Sequence, residues 1–142
     1  MRILKSCPAG LLGFFLLAAG CSSSGIHPVS GEVVYPDGSP AKELQGCRVI
    51  FEAVGADGKN YSSEGEIDAE GKYQLTTTKP GDGAPLGKNR VVIERKMLDS
   101  ERVMPRVIEE KFENFDTSGL EFEVKEGTNH AKLTLTKIEK KK

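Results

Sequence analysis

The chain has 142 residues, with 20 Lys and Arg against 21 Asp and Glu for a formal net charge of −1, two His, three Cys and no Trp. That balance excludes the basic footprint of a nucleic-acid-binding protein. The length suffices for one domain with a single core.

Arg2 and Lys5 give a positive start, residues 11–19 are apolar apart from Gly13, and Ala18, Ala19 and Gly20 are small. This is the layout of a secretory signal. The run breaks off at "CSSSG", short of the roughly twenty apolar residues that a membrane-spanning helix needs. The order Ala-Ala-Gly-Cys resembles the lipobox of bacterial lipoproteins, in which the cysteine thiol takes a diacylglycerol and the peptide before it is removed. Ala18 stands where the lipobox commonly has Leu, with Leu17 one step further back. The resemblance implies cleavage after Gly20 and lipid attachment at Cys21. The alternative is an ordinary signal peptide cut after Ala19 or Gly20, with Cys21 merely adjacent.

The expected organisation is a lipoprotein signal peptide at 1–20, a flexible Ser/Gly/Pro-rich tether at 21–28, a β-domain at 29–138 and a basic tail at 139–142. Cys7 leaves with the signal and Cys21 is taken by lipid, so Cys47 has no intrachain partner. A buried thiol is expected there, since no histidine lies near in sequence to make a thiolate.

From Val29 onward, period-two alternation dominates. Val29, Gly31, Val33 and Tyr35 share one face before "PDGSP" ends the strand. Cys47, Val49, Phe51 and Ala53 form the next inward row, and after "GADGKN" come Tyr61, Ser63, Gly65 and Ile67. "DAEGK" is turn chemistry and predicts a hairpin to the strand of Tyr73, Leu75 and Thr77. Val91, Ile93 and Arg95 continue the scheme. Leu120, Phe122 and Val124 follow, then "KEGTNH" and the row Ala131, Leu133 and Leu135. Seven short strands without a long amphipathic helix predict an all-β fold, an antiparallel seven-stranded β-sandwich of transthyretin-like or Ig-like type, with a barrel as the lesser alternative. Phe51 and Leu133 are expected in its core.

Residues 97–119 are too long for an ordinary connection. Pro105 is placed to open one or two helical turns with Ile108 and Phe112 on one face, which favours a crossover pinned to the core over a dedicated binding loop.

A lipobox cysteine, "VSGEVVYPDGSP", "IDAEGKYQLTTTKPGDGAPLGKNRVVIE" and "TSGLEFEVKEGTNHAKLTL" together resemble the planctomycete-type short bacterial lipoproteins with a carboxypeptidase-regulatory-like domain. The resemblance spans nearly the whole mature chain. It implies a secreted, lipid-anchored transthyretin-like domain without enzyme activity. Members usually carry Ile-Pro-x-x-Tyr before "TSGL", whereas here Ile108, Glu109 and Phe112 stand in that element.

No motif indicates a catalytic residue, cofactor or metal. "GDGAPLGKN" is one residue short of a phosphate loop and has Asn89 where Ser or Thr would hold magnesium. Asp68, Glu70 and Gly71 match only part of a calcium loop, and a hairpin turn accounts for them better. Both His27, in the tether, and His130, in an expected turn, are poorly placed for nucleophilic catalysis. Glu52, Glu64, Glu66, Glu121 and Glu123 fall on polar strand faces, which keeps an envelope hydrolase using surface carboxylates as the rival function. The favoured function is non-catalytic binding or scaffolding at the cell envelope, with the membrane as one partner through the N-terminal lipid. An envelope protein or polysaccharide would be the other, engaged by "KPGDGAPLGK" or residues 97–119.

Overall fold

The computed structural model describes residues 25–139; Gly20, Cys21 and the rest of the signal and tether through residue 24 lie outside it, as do residues 140–142 of the basic tail. In chain order the strands are β1 (Ile26–His27), β2 (Val29–Val34), β3 (Arg48–Val54), β4 (Asn60–Glu66), β5 (Lys72–Gln74), β6 (Ala84–Pro85), β7 (Gly87–Glu94), β8 (Leu120–Val124) and β9 (Asn129–Thr134), with 3-10 turns at Lys42–Leu44 and Glu110–Glu113. The chain is all-β. Its strands form a four-stranded sheet in the order β4-β3-β7-β8, a three-stranded sheet β5-β2-β9 and the short pair β1-β6, none of them closed.

The alternating residues face inward as their period requires. Val29, Val33, Val49, Phe51, Ile67, Leu75, Val91, Ile93, Ala131, Leu133 and Leu135 are all buried, and inward residues of both larger sheets belong to one cluster. Phe51 has no exposed surface, and its ring lies 6.1 Å from that of Phe122 in a tilted arrangement. Cys47 is a free, fully buried thiol. Burial pushes its pKa up, so the thiolate needed for nucleophilic attack is disfavoured.

Three features differ from the sequence expectation. The pairing is not antiparallel throughout, because β2 and β9 run parallel from Val29↔Asn129 to Val34↔Thr134. The 125–128 turn carries the chain from the edge of one sheet to the edge of the other, so β9 comes back in the direction of β2. β1 and β6 add two strands too short to show any period, and β1 lies inside the segment expected as tether. The hairpin joining β4 and β5 has its turn where expected, with Asp68 Oδ1 accepting the Glu70 and Lys72 N–H groups at 2.8 and 2.9 Å. Beyond a bridge at Glu64↔Thr76, however, β5 gives its ladder to β2, so this short strand ties the two larger sheets together.

One tight contact fixes the three-stranded sheet. Tyr73, Gly31 and Ala131 are aligned across β5, β2 and β9. Because Gly31 has no side chain, the Tyr73 ring reaches over it and its hydroxyl donates to the Ala131 carbonyl at 2.8 Å.

The strand directions sort the loops onto two poles. The chain enters at Gly25 on the pole that also holds the 55–59 turn, the 76–83 loop and the 125–128 turn. Residues 35–47, 68–71, 95–119 and 135–139 lie at the other.

Candidate functional site

The 97–119 segment divides into two pieces of different character. Residues 96–104 make a β-hairpin that extends past β7. Met104 N–H bonds to the Lys96 carbonyl at 2.8 Å, Met97 bridges Val103, and Asp99 Oδ1 accepts the Glu101 and Arg102 N–H groups at the tip. Its Met104 packs against the core, but Met97, Leu98 and Val103 are 54%, 51% and 42% exposed. Beside it lies a hollow of about 340 Å³ lined by Ile50, Val92, Met97 and Val103, with Arg95 and Glu113 at its margin.

The second piece is anchored. Ile108 is fully buried and bridges Lys137, and Phe112 in the Glu110–Glu113 turn is buried too, as the spacing of these two residues predicts. A charged clamp joins the pieces. Glu113 Oε1 lies 2.9 Å from Nε of both Arg95 and Arg106; the Arg106 N–H is aimed at it, whereas that of Arg95 is not. Arg95 Nη1 instead donates to the Met104 carbonyl at 2.9 Å, which holds the hairpin base. The Arg106 hydrogen bonds keep the Glu113 carboxyl below its ordinary range, with Arg95 adding to the effect against a burial penalty.

A second concavity on the same pole, of about 630 Å³, is lined by Tyr35, Pro36, Asp37, Glu109, Thr136, Lys137 and Glu139. Its floor is already internally paired. Tyr35 donates to Glu43 at 2.9 Å, and Lys137 donates to the other Glu43 oxygen at 2.8 Å while lying 4.1 Å from the Tyr35 ring centroid. The Thr136 hydroxyl donates to Glu109, whose other oxygen meets Lys111 at 2.9 Å. Hydrogen bonds from Thr136 and Lys111 lower the Glu109 pKa, and that from Lys137 lowers Glu43. Both are held as carboxylates, the opposite of what a general acid needs.

The carboxylates on the polar strand faces are mostly spread and paired. Glu64 and Glu94 share Arg48, Glu52 meets Arg90 at 2.7 Å, and Glu121 meets Lys88 at 3.3 Å. Every Asp or Glu whose pKa departs clearly from its ordinary value departs downward. Among the described residues no three His, Cys, Asp or Glu side chains converge as a cation site. The "KPGDGAPLGK" stretch is a braced loop, in which Asp82 accepts N–H groups from Thr77, Thr78 and Lys79 at 2.6–2.9 Å and Thr77 donates to the Gly83 carbonyl. Asn89 is buried, its amide donating to the Pro85 and Gly87 carbonyls at 2.9 and 3.0 Å.

Cys21 and Gly20 fall outside the described residues, so no geometry attaches to them. The 96–104 hairpin went unseen in the sequence because most of its apolar residues face solvent; the signal that marks it is Asp99-Ser100 flanked by Met97-Leu98 and Val103-Met104. No protein-family model matches the chain, and neither the curated proteins nor the solved structures hold a match to it.

Proposed function

We propose that this chain is a lipid-anchored cell-envelope protein whose domain, a transthyretin-like β-sandwich facing the periplasm or cell exterior, binds or scaffolds without catalysis. The resemblance to planctomycete-type lipoproteins motivates the anchor at Cys21. A four-stranded and a three-stranded sheet contributing to one core support the sandwich reading. The observation that carries the binding function is the cluster of exposed Met97, Leu98 and Val103 on a braced hairpin, because the other exposed large aliphatics among the described residues, Val54 and Ile138, stand singly. Flexible aliphatic side chains beside a shallow hollow suit a protein partner; a polysaccharide site is built more readily on exposed aromatic rings, and no aromatic ring lines this hollow.

The test is cross-linking in native membranes followed by partner identification, with the wild-type chain compared against one whose residues 97–103 are replaced by a Gly/Ser turn. Loss of a specific protein partner with the β circular-dichroism spectrum kept supports the reading. Turnover of an envelope polysaccharide by the purified domain, abolished by one Glu→Gln change, overturns it in favour of a hydrolase.

A further inference from the structure

The register of the four-stranded sheet sets its outward side chains in rows, because every second residue of β3, β4, β7 and β8 points away from the core. Glu66, Arg48 and Glu94 are aligned across β4, β3 and β7 in one row, and Glu64, Ile50 and Val92 in the next. Ser62, Glu52, Arg90 and Glu121 make a third row that reaches β8, and Lys88 faces Glu123 beyond it. The face therefore carries six carboxylates against three cations. Those cations are already shared. Arg48 lies between Glu64 and Glu94, Arg90 meets both Glu52 and Asp116, and Lys88 meets Glu121, while Glu66 and Glu123 have no ion pair among the described residues.

Neighbouring segments do not cancel this excess. In the turns at one end Lys59 and Lys125 are offset by Asp57 and Glu126. On the 96–104 hairpin at the other end Lys96 and Arg102 are offset by Asp99 and Glu101, and Arg95 by Glu113. The outer face of the three-stranded sheet has the opposite balance, with Glu32 in a row between Lys72 and Lys132. Outward residues are about 7 Å apart along a strand and about 4.8 Å apart between strands, less than the Debye length of about 8 Å at physiological salt, so the potentials of neighbouring carboxylates add. The acidic face runs into the apolar hollow: Glu94 lines it with Ile50, Val92, Met97 and Val103, and Glu64 stands beside Ile50 in the same row.

We infer that the partner engaged by the 96–104 hairpin is a basic protein segment, which sets an aliphatic side chain into the hollow of Met97, Val103, Ile50 and Val92 and lays Lys or Arg side chains along the outer face of the four-stranded sheet. This rests on the hairpin-binding reading above and adds the sign of the partner's charge. Aliphatic contact supplies the anchor, and the carboxylate excess speeds encounter and selects the partner. A second copy of the same face, or an anionic lipid surface, meets like charge there.

The experiment selects a phage library of random twelve-residue peptides on the chain from residue 21 with Cys21→Ser, and measures binding of the enriched peptides, synthesised with a fluorophore, by anisotropy. Two variants confined to exposed side chains are carried beside it, Met97→Ser/Leu98→Ser/Val103→Ser and Glu64→Gln/Glu66→Gln/Glu123→Gln, with circular dichroism confirming the fold of each. The expected peptides combine two or more Lys or Arg with Leu, Ile, Val or Met. They should lose binding to the hairpin variant and bind the Gln variant about tenfold more weakly, a difference that shrinks at high salt. Enriched peptides that are neutral or acidic, or that bind the Gln variant as tightly as the parent, overturn the basic partner and leave the hairpin reading standing. No enrichment, or enriched peptides that bind the hairpin variant undiminished, overturns the hairpin reading and the inference with it. A concentration-dependent dimer in sedimentation velocity, abolished in the hairpin variant, makes a second copy the occupant and overturns the inference alone.

Discussion

Gly31→Ala puts the central strand of the three-stranded sheet to the test. A Cβ at Gly31 would lie 2.0 Å from the Ala131 carbonyl oxygen and 2.6 and 2.7 Å from Oη and Cζ of Tyr73, where ordinary contacts begin near 3.4 Å. Neither neighbour can give way cheaply. The carbonyl belongs to the β9 backbone, whose movement opens the parallel ladder, and the Tyr73 ring is 5% exposed and held at its hydroxyl by that same carbonyl. Removing only the hydroxyl, in Tyr73→Phe, loses a buried hydrogen bond and should cost about 1–2 kcal/mol. Gly31→Ala loses that bond, displaces the ring and strains the ladder, so about 3–4 kcal/mol or more is expected, a large part of the 5–15 kcal/mol typical of a domain.

Urea denaturation of the chain from residue 21 with Cys21→Ser, followed by circular dichroism, measures both changes. The Tyr73→Ala background separates the two clashes. If the ring were the whole obstacle, Gly31→Ala would cost nothing further there, whereas the 2.0 Å approach to a carbonyl predicts that most of the penalty persists. A Gly31→Ala protein within about 1 kcal/mol of the parent would refute both the parallel register and the packing of Tyr73 over Gly31.

Phe51→Ala should cost about 3–5 kcal/mol by the same denaturation assay, because the side chain is fully buried and its loss removes the ring contact with Phe122. Asp82→Ala should loosen the 76–83 loop at a cost of about 1–2 kcal/mol, read as faster amide exchange at Thr77 and Thr78. Although burial works to raise the Asp82 pKa, the three N–H donors outweigh it and lower it. That contribution is present above the unfolded carboxylate pKa near 3.9 and is lost as pH falls through the folded value. Tyr73 is shifted the other way, well above its ordinary value of 10, by burial. Its neutral form therefore stabilises the fold fully below about pH 10 and ceases to do so as pH rises further, so phenolate absorbance should appear with alkaline unfolding rather than before it. Cys47 should stay unlabelled by a thiol reagent in the folded chain at pH 8 and react on denaturation; rapid labelling of native protein would contradict its burial.

What could be read in the sequence and what could not divides along a physical line. The inward rows of β2, β3, β4, β8 and β9 follow from a two-residue period that each strand carries by itself, so Val33, Phe51, Ile67, Val124 and Leu133 were identifiable as buried without any knowledge of pairing. Partner choice is not local. Nothing within residues 129–134 announces a parallel neighbour a hundred residues earlier, since the ladder uses backbone groups common to all sequences. β7 was expected to begin near Val91 but starts at Gly87, because Asn89 occupies an inward position that a hydrophobic pattern scores as polar. Its Nδ2 donates to two carbonyls just upstream, which offsets part of the cost of its burial, while its Oδ1 is buried without a partner.

The same distinction governs the candidate site. The length of the 97–119 segment marked it as unusual, and Ile108 and Phe112 marked its anchored half, but the exposed half has no inward row to detect. Met97, Leu98 and Val103 become notable only against a structure in which most other large aliphatics have found cover and the exceptions, Val54 and Ile138, stand singly, for exposure is a property of the fold and not of the residue. The β2–β9 register then supplies what neither the hairpin nor the lipobox contains alone, a direction. On the proposed attachment of lipid at Cys21, four residues before Gly25, and with the hairpin on the opposite pole, an anchored chain would have its apolar residues where a partner approaching from the aqueous side meets them first. A hairpin meant to insert into the anchoring bilayer would have to emerge beside the 55–59 turn instead, and there Val54 is exposed among side chains of both charges, Asp57, Lys59, Lys125 and Glu126, which do not suit the hydrocarbon.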